Sequence, residues 1–114
     1  MTSANRRRGE IVAELDGQAR KLCLTLGALA ELEAAYASDD LGALVARFSR
    51  GSLSAVDLMR IIAAGLRGAG EDVTEDMVGA MHAEGGVTGF ASIVAELLTV
   101  TFGAPGEGQV APNP

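Results

Sequence analysis

The single cysteine and the single histidine are the most reactive side chains that this sequence offers. An imidazole can accept the proton of a thiol and so activate it, and Cys23 and His82 could meet in the fold although they lie far apart in sequence. Leu22 and Leu24 flank the cysteine, however, and such neighbours favour a packed thiol. We therefore predict a packed Cys23, a surface His82 and no catalytic residues.

Metal and phosphate sites are also not predicted. One cysteine and one histidine cannot form a structural zinc site without further ligands. The segment from Gly65 to Gly70, GLRGAG, could suggest a phosphate-binding loop, but it follows a helical pattern and lacks the GK[ST] ending of that motif. These glycines are predicted to end a helix. We expect no metal, no cofactor and no small-molecule substrate.

Glu33 is the residue whose position is hardest to explain by folding alone. At roughly 100° per residue it falls in the same stripe as Leu29, Leu32 and Tyr36. A carboxylate there must cap a neighbouring helix, pair with an arginine or lie at a surface that meets a partner, because burying an unpaired charge is costly. Internal capping or pairing is favoured, whereas Glu31 falls on the outer face. The candidate arginines are Arg47, Arg60 and Arg67.

Two methionines, Met77 and Met81, lie four residues apart on one predicted helix. Such a pair usually fills a core, although methionine also suits adaptable binding surfaces. If the protein works by binding, the residues predicted to contact a protein partner are Glu33, Tyr36, Met77 and Met81.

The first element is a predicted β-hairpin. Glu10 to Leu15 and Gln18 to Leu24 flank the dipeptide Asp16-Gly17, a strong signal for a tight turn with positive φ. A two-residue loop would set Ile11 opposite Leu22, and a three-residue loop would set Glu14 opposite Arg20. The sequence leaves both registers open.

After Leu24 the hydrophobic period becomes helical. Thr25, Ser54 and Thr74 are predicted helix N-caps, and Asp57 completes a variant of the capping box with Ser54. Five helices are predicted: from Leu26 to about Ala37, from Leu41 to about Arg50, from Ser54 to about Gly68, a short helix after Thr74, and one ending before Gly103. In the third helix the predicted solvated side carries Asp57, Arg60, Ala64 and Arg67.

The fold class is therefore mainly α (α+β), with an N-terminal hairpin followed by about five short helices in one compact domain. The domain is predicted to span residues 9–103, between disordered tails at residues 1–8 and 104–114.

Charge and composition narrow the range of functions that the sequence allows. The 114-residue chain has a formal charge of −6, although Arg6 to Arg8 are basic, so the remainder is more acidic still. An acidic body with 4% aromatic residues and no tryptophan argues against nucleic acid as a partner. The most apolar segment, Phe90 to Phe102, is too short to span a bilayer and carries Glu96. With one cysteine and no apolar signal core after Arg8, a cytoplasmic location is expected.

Three stretches carry a resemblance to a known family: LTLGALAELE from Leu24, LGALVARF from Leu41 and DLMRIIAAGLRGAG from Asp57. Together with the hairpin, they resemble the small proteins of gene transfer agents and related phages that are described as tail assembly chaperones. The resemblance runs from about Arg8 to Phe102.

The resemblance implies a non-enzymatic chaperone that binds the long helical tape measure protein, or other tail proteins, during tail assembly. The alternative is a structural, tail tube-associated subunit. Tail tubes in general are β-sandwich-like rings, and two predicted strands count against that alternative. A small enzyme is disfavoured because no acid, base or nucleophile constellation is found. The sequence leaves the oligomeric state open.

Overall fold

The computed structural model of the chain describes residues 4–36 and 41–103. The order of elements agrees with the sequence prediction, since one antiparallel hairpin precedes five helices. The strands are β1 (Glu10–Leu15) and β2 (Gln18–Cys23), and the helices are α1 (Leu26–Ala35), α2 (Leu41–Ser49), α3 (Ala55–Gly68), α4 (Glu75–Gly79) and α5 (Gly86–Phe102).

The hairpin has the register of a two-residue loop. Asp16 and Gly17 both have positive φ, 54° and 75°, as a tight hairpin turn requires. Ile11 lies opposite Leu22, and the three-residue alternative is excluded. The alternating residues Ile11, Ala13 and Leu15 are buried against the helices.

The predicted N-caps are confirmed. The side-chain oxygens of Thr25 and Thr74 each accept a hydrogen bond, at 3.1 Å, from the backbone N–H three residues later. Ser54 and Asp57 form a complete capping box, in which each side chain accepts a hydrogen bond from the other residue's N–H. Local chemistry therefore sets where three of the helices begin.

Helix α3 is the centre of the domain, because β2, α1, α4 and α5 all pack against it. Its predicted solvated side is therefore wrong in part. Asp57 and Ala64 are buried, and Arg60 and Arg67 are half-buried. An amphipathic helix has one solvated side only when its other neighbours leave that side open.

Two glycines of α3 permit close packing. A Cβ on Gly68 would lie 2.0 Å from the carbonyl oxygen of Cys23, and a Cβ on Gly65 would lie 2.8 Å from Leu97 Cδ2. Gly68 is also the last residue of α3, so the predicted helix end is confirmed. The glycines of this segment serve packing and termination instead of a phosphate loop.

The N-terminal segment forms structure before the hairpin. Arg6–Arg8 is a short 3-10 helix that Asn5 caps, and Gly9, with φ 77°, closes it. Arg6 Nη1 lies 2.8 Å from Glu96 Oε2 in α5. The predicted tail at residues 1–8 is thus structured from Asn5 onward, whereas residues 1–3 and the predicted tail at 104–114 lie outside the described residues. The domain limits stay a prediction.

Helix α5 packs against α3 and β1 through Val94, Leu97 and Leu98, which are fully buried. It begins at Gly86, one turn before the apolar segment that the sequence suggested. Within residues 4–36 and 41–103, no helix has both the length and the apolar character that crossing a membrane requires.

Candidate protein-interaction surface

Cys23 and His82 lie at opposite ends of the hairpin. Cys23 pairs with Glu10 at the open end, and its Sγ lies 3.5 Å from the carbonyl oxygen of Arg8. His82 is exposed at the turn, where its backbone N–H donates to Asp16 Oδ1 at 2.8 Å. A six-residue strand is roughly 17 Å long, so the two side chains cannot act as a pair.

The thiol of Cys23 is half-buried, and this burial raises its pKa. A raised pKa lowers the thiolate fraction and so disfavours nucleophilic chemistry. Among the described residues, no group of three or more histidine, cysteine, aspartate and glutamate side chains could hold a metal ion.

Glu33 is exposed, and its predicted place in the buried stripe is wrong. Leu26, the reference residue of the helical wheel, is 84% exposed, so the buried side of α1 centres on Ala28 and Leu32. Glu33 makes no hydrogen bond or ion pair with the described residues. The carboxylate of α1 that does pair is Glu31, whose Oε1 accepts hydrogen bonds from Arg67 Nε at 3.0 Å and Nη2 at 2.7 Å.

Tyr36 lies at the centre of a polar cluster that joins α1, α2 and α3. Its hydroxyl donates a hydrogen bond to Asp57 Oδ1, which also accepts from Arg47 Nη2 at 3.1 Å. The guanidinium carbons of Arg47 and Arg60 each lie 5.1 Å from the centre of the Tyr36 ring, within range of cation–π attraction. We call these four residues the Tyr36 cluster.

The electrostatics of the Tyr36 cluster keep the phenol neutral and the carboxylate charged. Burial, together with Asp57, raises the pKa of Tyr36 to about 12. Burial alone would raise the pKa of Asp57, but hydrogen bonds from Tyr36 and Ser54 and the charge of Arg47 lower it. The cluster therefore acts as a fixed connection between helices.

Asp57 has a second role that its sequence pattern did not predict. In the capping box, Asp57 Oδ2 accepts from the Ser54 N–H at 2.8 Å, which leaves Oδ1 for other donors. An aspartate at this position of a capping box is thus a sequence signal for a further partner, although it does not say which donor will reach it.

The two methionines have separate environments. Met77 is 48% exposed on α4, whereas Met81 follows the end of that helix and packs against the core. Met77 is therefore the more exposed of the two, and the partner-binding role of either residue stays a prediction.

An apolar surface surrounds Val87, which is 73% exposed near the start of α5. Two grooves meet there, with volumes of about 190 and 300 Å³, and Leu58 and Val87 line both. The remaining lining residues are Ala55, Met59, Ile62, Val78, Gly79 and Phe90 in the first groove and Phe48, Gly51, Leu53, Ala91 and Ala95 in the second. We call this region the Val87 surface.

The Val87 surface continues the apolar side of α5. At roughly 100° per residue, Val87 lies above Val94 and Leu98, which are core residues. The apolar stripe of α5 therefore continues one helical turn toward the start of the helix, beyond the part that the rest of the described domain covers. Val87 was not predicted as a surface residue, because the apolar pattern placed the start of this helix at Phe90. An exposed apolar side chain beside two apolar grooves is a candidate contact for another protein.

A comparison with known protein families shows which family this chain belongs to. The family described as phage tail tube protein, GTA-gp10, has a sequence model that matches residues 8–104. The chain belongs to this family. The predicted resemblance to gene transfer agent and phage tail proteins is thereby confirmed. Searches of curated proteins and of solved structures found no match.

The family corrects the predicted function. A tail assembly chaperone was the preferred interpretation, and it is wrong, because the GTA-gp10 family is one of tail tube proteins. The small number of predicted strands had counted against a tube-associated role. The described residues do contain one two-stranded sheet, but a fold class does not by itself determine function. A tail tube family is structural and is not a family of enzymes.

Proposed function

We propose that this GTA-gp10 family member is a structural, non-enzymatic subunit associated with the tube of a phage-like tail. The family match over residues 8–104 carries this proposal. Assembly takes place in the cytoplasm, where the one cysteine stays reduced. The partners are other tail proteins, and the tape measure protein is the one to test first.

The Val87 surface is the proposed contact region. It combines the exposed side chain of Val87 with two adjoining apolar grooves, and burying apolar surface against a partner is favourable. Met77 is exposed on α4, the helix that contributes Val78 and Gly79 to the first groove. It is the predicted partner-binding residue that fits this location best, and Glu33 is a second exposed candidate on α1.

The acidic character of the chain adds to this proposal. A formal charge of −6 favours partners that present neutral or basic surfaces and gives attraction over a longer range than apolar contact does. Charge would then guide the encounter, and the Val87 surface would supply the contact.

The test compares two apolar residues that are both well exposed. Leu26 lies in α1, outside both grooves, and is a matched control for Val87. We expect Val87→Asp to reduce incorporation into purified particles at least about tenfold, because one desolvated charge costs more than 1.4 kcal/mol. Leu26→Asp should be incorporated normally. Equal incorporation of both variants would remove the Val87 surface from the proposal, and absence of the wild-type chain from particles would overturn the proposal itself.

A further inference from the structure

The outer edge of β1 offers backbone groups to a further strand. The two-residue turn makes Leu15 and Gln18 a hydrogen-bonded pair, so alternate residues of β1 bond to β2. Val12 and Glu14 belong to the other set, whose N–H and C=O groups face away from β2. Within residues 4–36 and 41–103, these outward groups of Val12 and Glu14 have no hydrogen-bond partner. An uncovered edge of this kind can bind another strand.

Two hydrogen bonds close this edge at its ends. The Glu10 N–H donates to the Asn5 carbonyl at 3.1 Å, and the Asp16 N–H donates to the His82 carbonyl at 2.8 Å. The open part of the edge is therefore the segment from Val12 to Glu14, and a short added strand would pair with both of its outward residues.

A groove of about 450 Å³ runs beside the open part of the edge. One wall is β1, from Val12 to Glu14, and the opposite wall includes three small residues, Gly85, Gly89 and Ser92. Small side chains on that wall leave space for a further backbone to approach β1. Ile93 adds an apolar side chain that is only partly buried.

The charge of the groove indicates which kind of strand it suits. Glu14, Glu84 and Glu96 line the groove, and Arg6 pairs with Glu96 at 2.8 Å. Glu14 and Glu84 are exposed and form no ion pair with the described residues. A strand that carries a positive charge would therefore meet complementary charge on both sides of the groove.

We propose that the open edge of β1 binds an extended, basic segment of a partner protein as an added antiparallel strand. The segment's residues opposite Val12 and Glu14 each exchange two hydrogen bonds with β1. The residue opposite Glu14 is lysine or arginine, because opposite charges on directly opposed residues attract. The residue opposite Ala13 directs its side chain to the groove, where the small wall residues leave room for an apolar group.

This binding mode goes beyond the proposed role of the Val87 surface. The groove beside β1 shares no lining residue with the two grooves around Val87, although all three are lined in part by α5. It recognises backbone and charge, whereas the Val87 surface offers apolar contact. A partner could therefore lose one contact and keep the other.

NMR on the full-length chain tests the proposal with a synthetic peptide, Thr-Lys-Val-Val-Thr, whose ends are blocked. In the antiparallel register its lysine lies opposite Glu14 and its second valine opposite Val12. We expect saturating peptide to slow the solvent exchange of the Val12 and Glu14 amides at least roughly tenfold. The amides of Ile11 and Ala13, which bond to β2, serve as internal references and should not change.

Methylation of single peptide nitrogens separates strand addition from other binding. The N–H of the lysine should donate to β1, whereas the N–H of the first valine should face away. N-methylation of the lysine should therefore abolish binding, and N-methylation of the first valine should preserve it, because only a strand position that faces away tolerates the loss of its donor.

A pair of charge variants tests the preference for a basic strand. Asp72 is an exposed acidic residue outside the groove and is the control for Glu14. We expect Glu14→Lys to weaken binding of the peptide roughly threefold to tenfold, and Asp72→Lys to leave it nearly unchanged. A peptide with glutamate in place of lysine should bind Glu14→Lys better than it binds the wild type.

Four results would overturn the proposal. The first is protection of the Val12 and Glu14 amides in the free chain at low concentration, because the edge would then be covered already. The second is protection that appears without peptide as the protein concentration rises, because a second copy would then occupy the edge. The others are equal effects of the two N-methyl groups and equal peptide binding by Glu14→Lys and Asp72→Lys.

Discussion

The hydroxyl of Tyr36 donates a hydrogen bond to Asp57, the carboxylate that also caps α3. The end of α1 is therefore tied to the start of α3 through one buried acidic side chain. Arg47 of α2 shares the same carboxylate oxygen, so three helices meet at this point.

Removing the hydroxyl should weaken this connection. Tyr36→Phe keeps the ring that both guanidinium groups contact but leaves Asp57 with one donor fewer. Because hydrogen bonds to charged groups contribute about 1.5–3 kcal/mol, we expect a loss in that range in the free energy of unfolding, measured with urea. A decrease in the unfolding free energy below about 0.5 kcal/mol would mean that water takes the place of the phenol hydroxyl as a donor to Asp57.

Lowering the pH should reveal how much the charged form of Asp57 contributes to the stability of the fold. Its pKa is lowered in the folded protein, so its stabilising effect is fully present above the ordinary aspartate pKa of about 3.9 and is lost as pH falls through the folded value. We expect the difference in unfolding free energy between wild type and Asp57→Asn to shrink as pH falls from about 5 toward 2. A difference that is constant over this range would show that ionisation of Asp57 does not matter.

Two glycine substitutions should have opposite effects. A Cβ on Gly68 would lie 2.0 Å from the Cys23 carbonyl oxygen, whereas a Cβ on Gly27 in α1 would meet only Thr25 Oγ1 at 3.9 Å. Gly68→Ala should cost roughly 1–3 kcal/mol through overpacking. Gly27→Ala should stabilise the protein by about 0.5–1 kcal/mol through helix propensity. Thermal unfolding of the two variants checks both signs, and a stable Gly68→Ala protein would contradict the close packing of α3 on β2.

The stability of the domain should depend on the buried apolar residues of α2. Leu44 and Phe48 are both core residues of α2. Leu44→Ala should cost about 2–5 kcal/mol by leaving a cavity, and Leu26→Ala, at an exposed site, should change the unfolding free energy by less than about 0.5 kcal/mol. Similar small effects at both positions would mean that α2 does not belong to the core.

Local signals in the sequence predicted much of the fold. The Asp16-Gly17 turn and the caps at Thr25, Ser54 and Thr74 depend on neighbouring backbone alone, so residue type and spacing were enough. The exposure of Glu33 and the burial of Asp57 depend on which elements cover α1 and α3, and a helical wheel contains no such information. Val87 was missed because the start of α5 had no side-chain cap to mark it.

The most direct test of a tube-associated structural role is the quantity of this chain in finished particles. Purified particles should contain the wild-type chain in a fixed ratio to the other tail proteins, measured by quantitative mass spectrometry with isotope-labelled peptides. A structural subunit should keep that ratio through successive purification steps. A chain that is abundant in the producing cells but absent from purified particles would contradict the account.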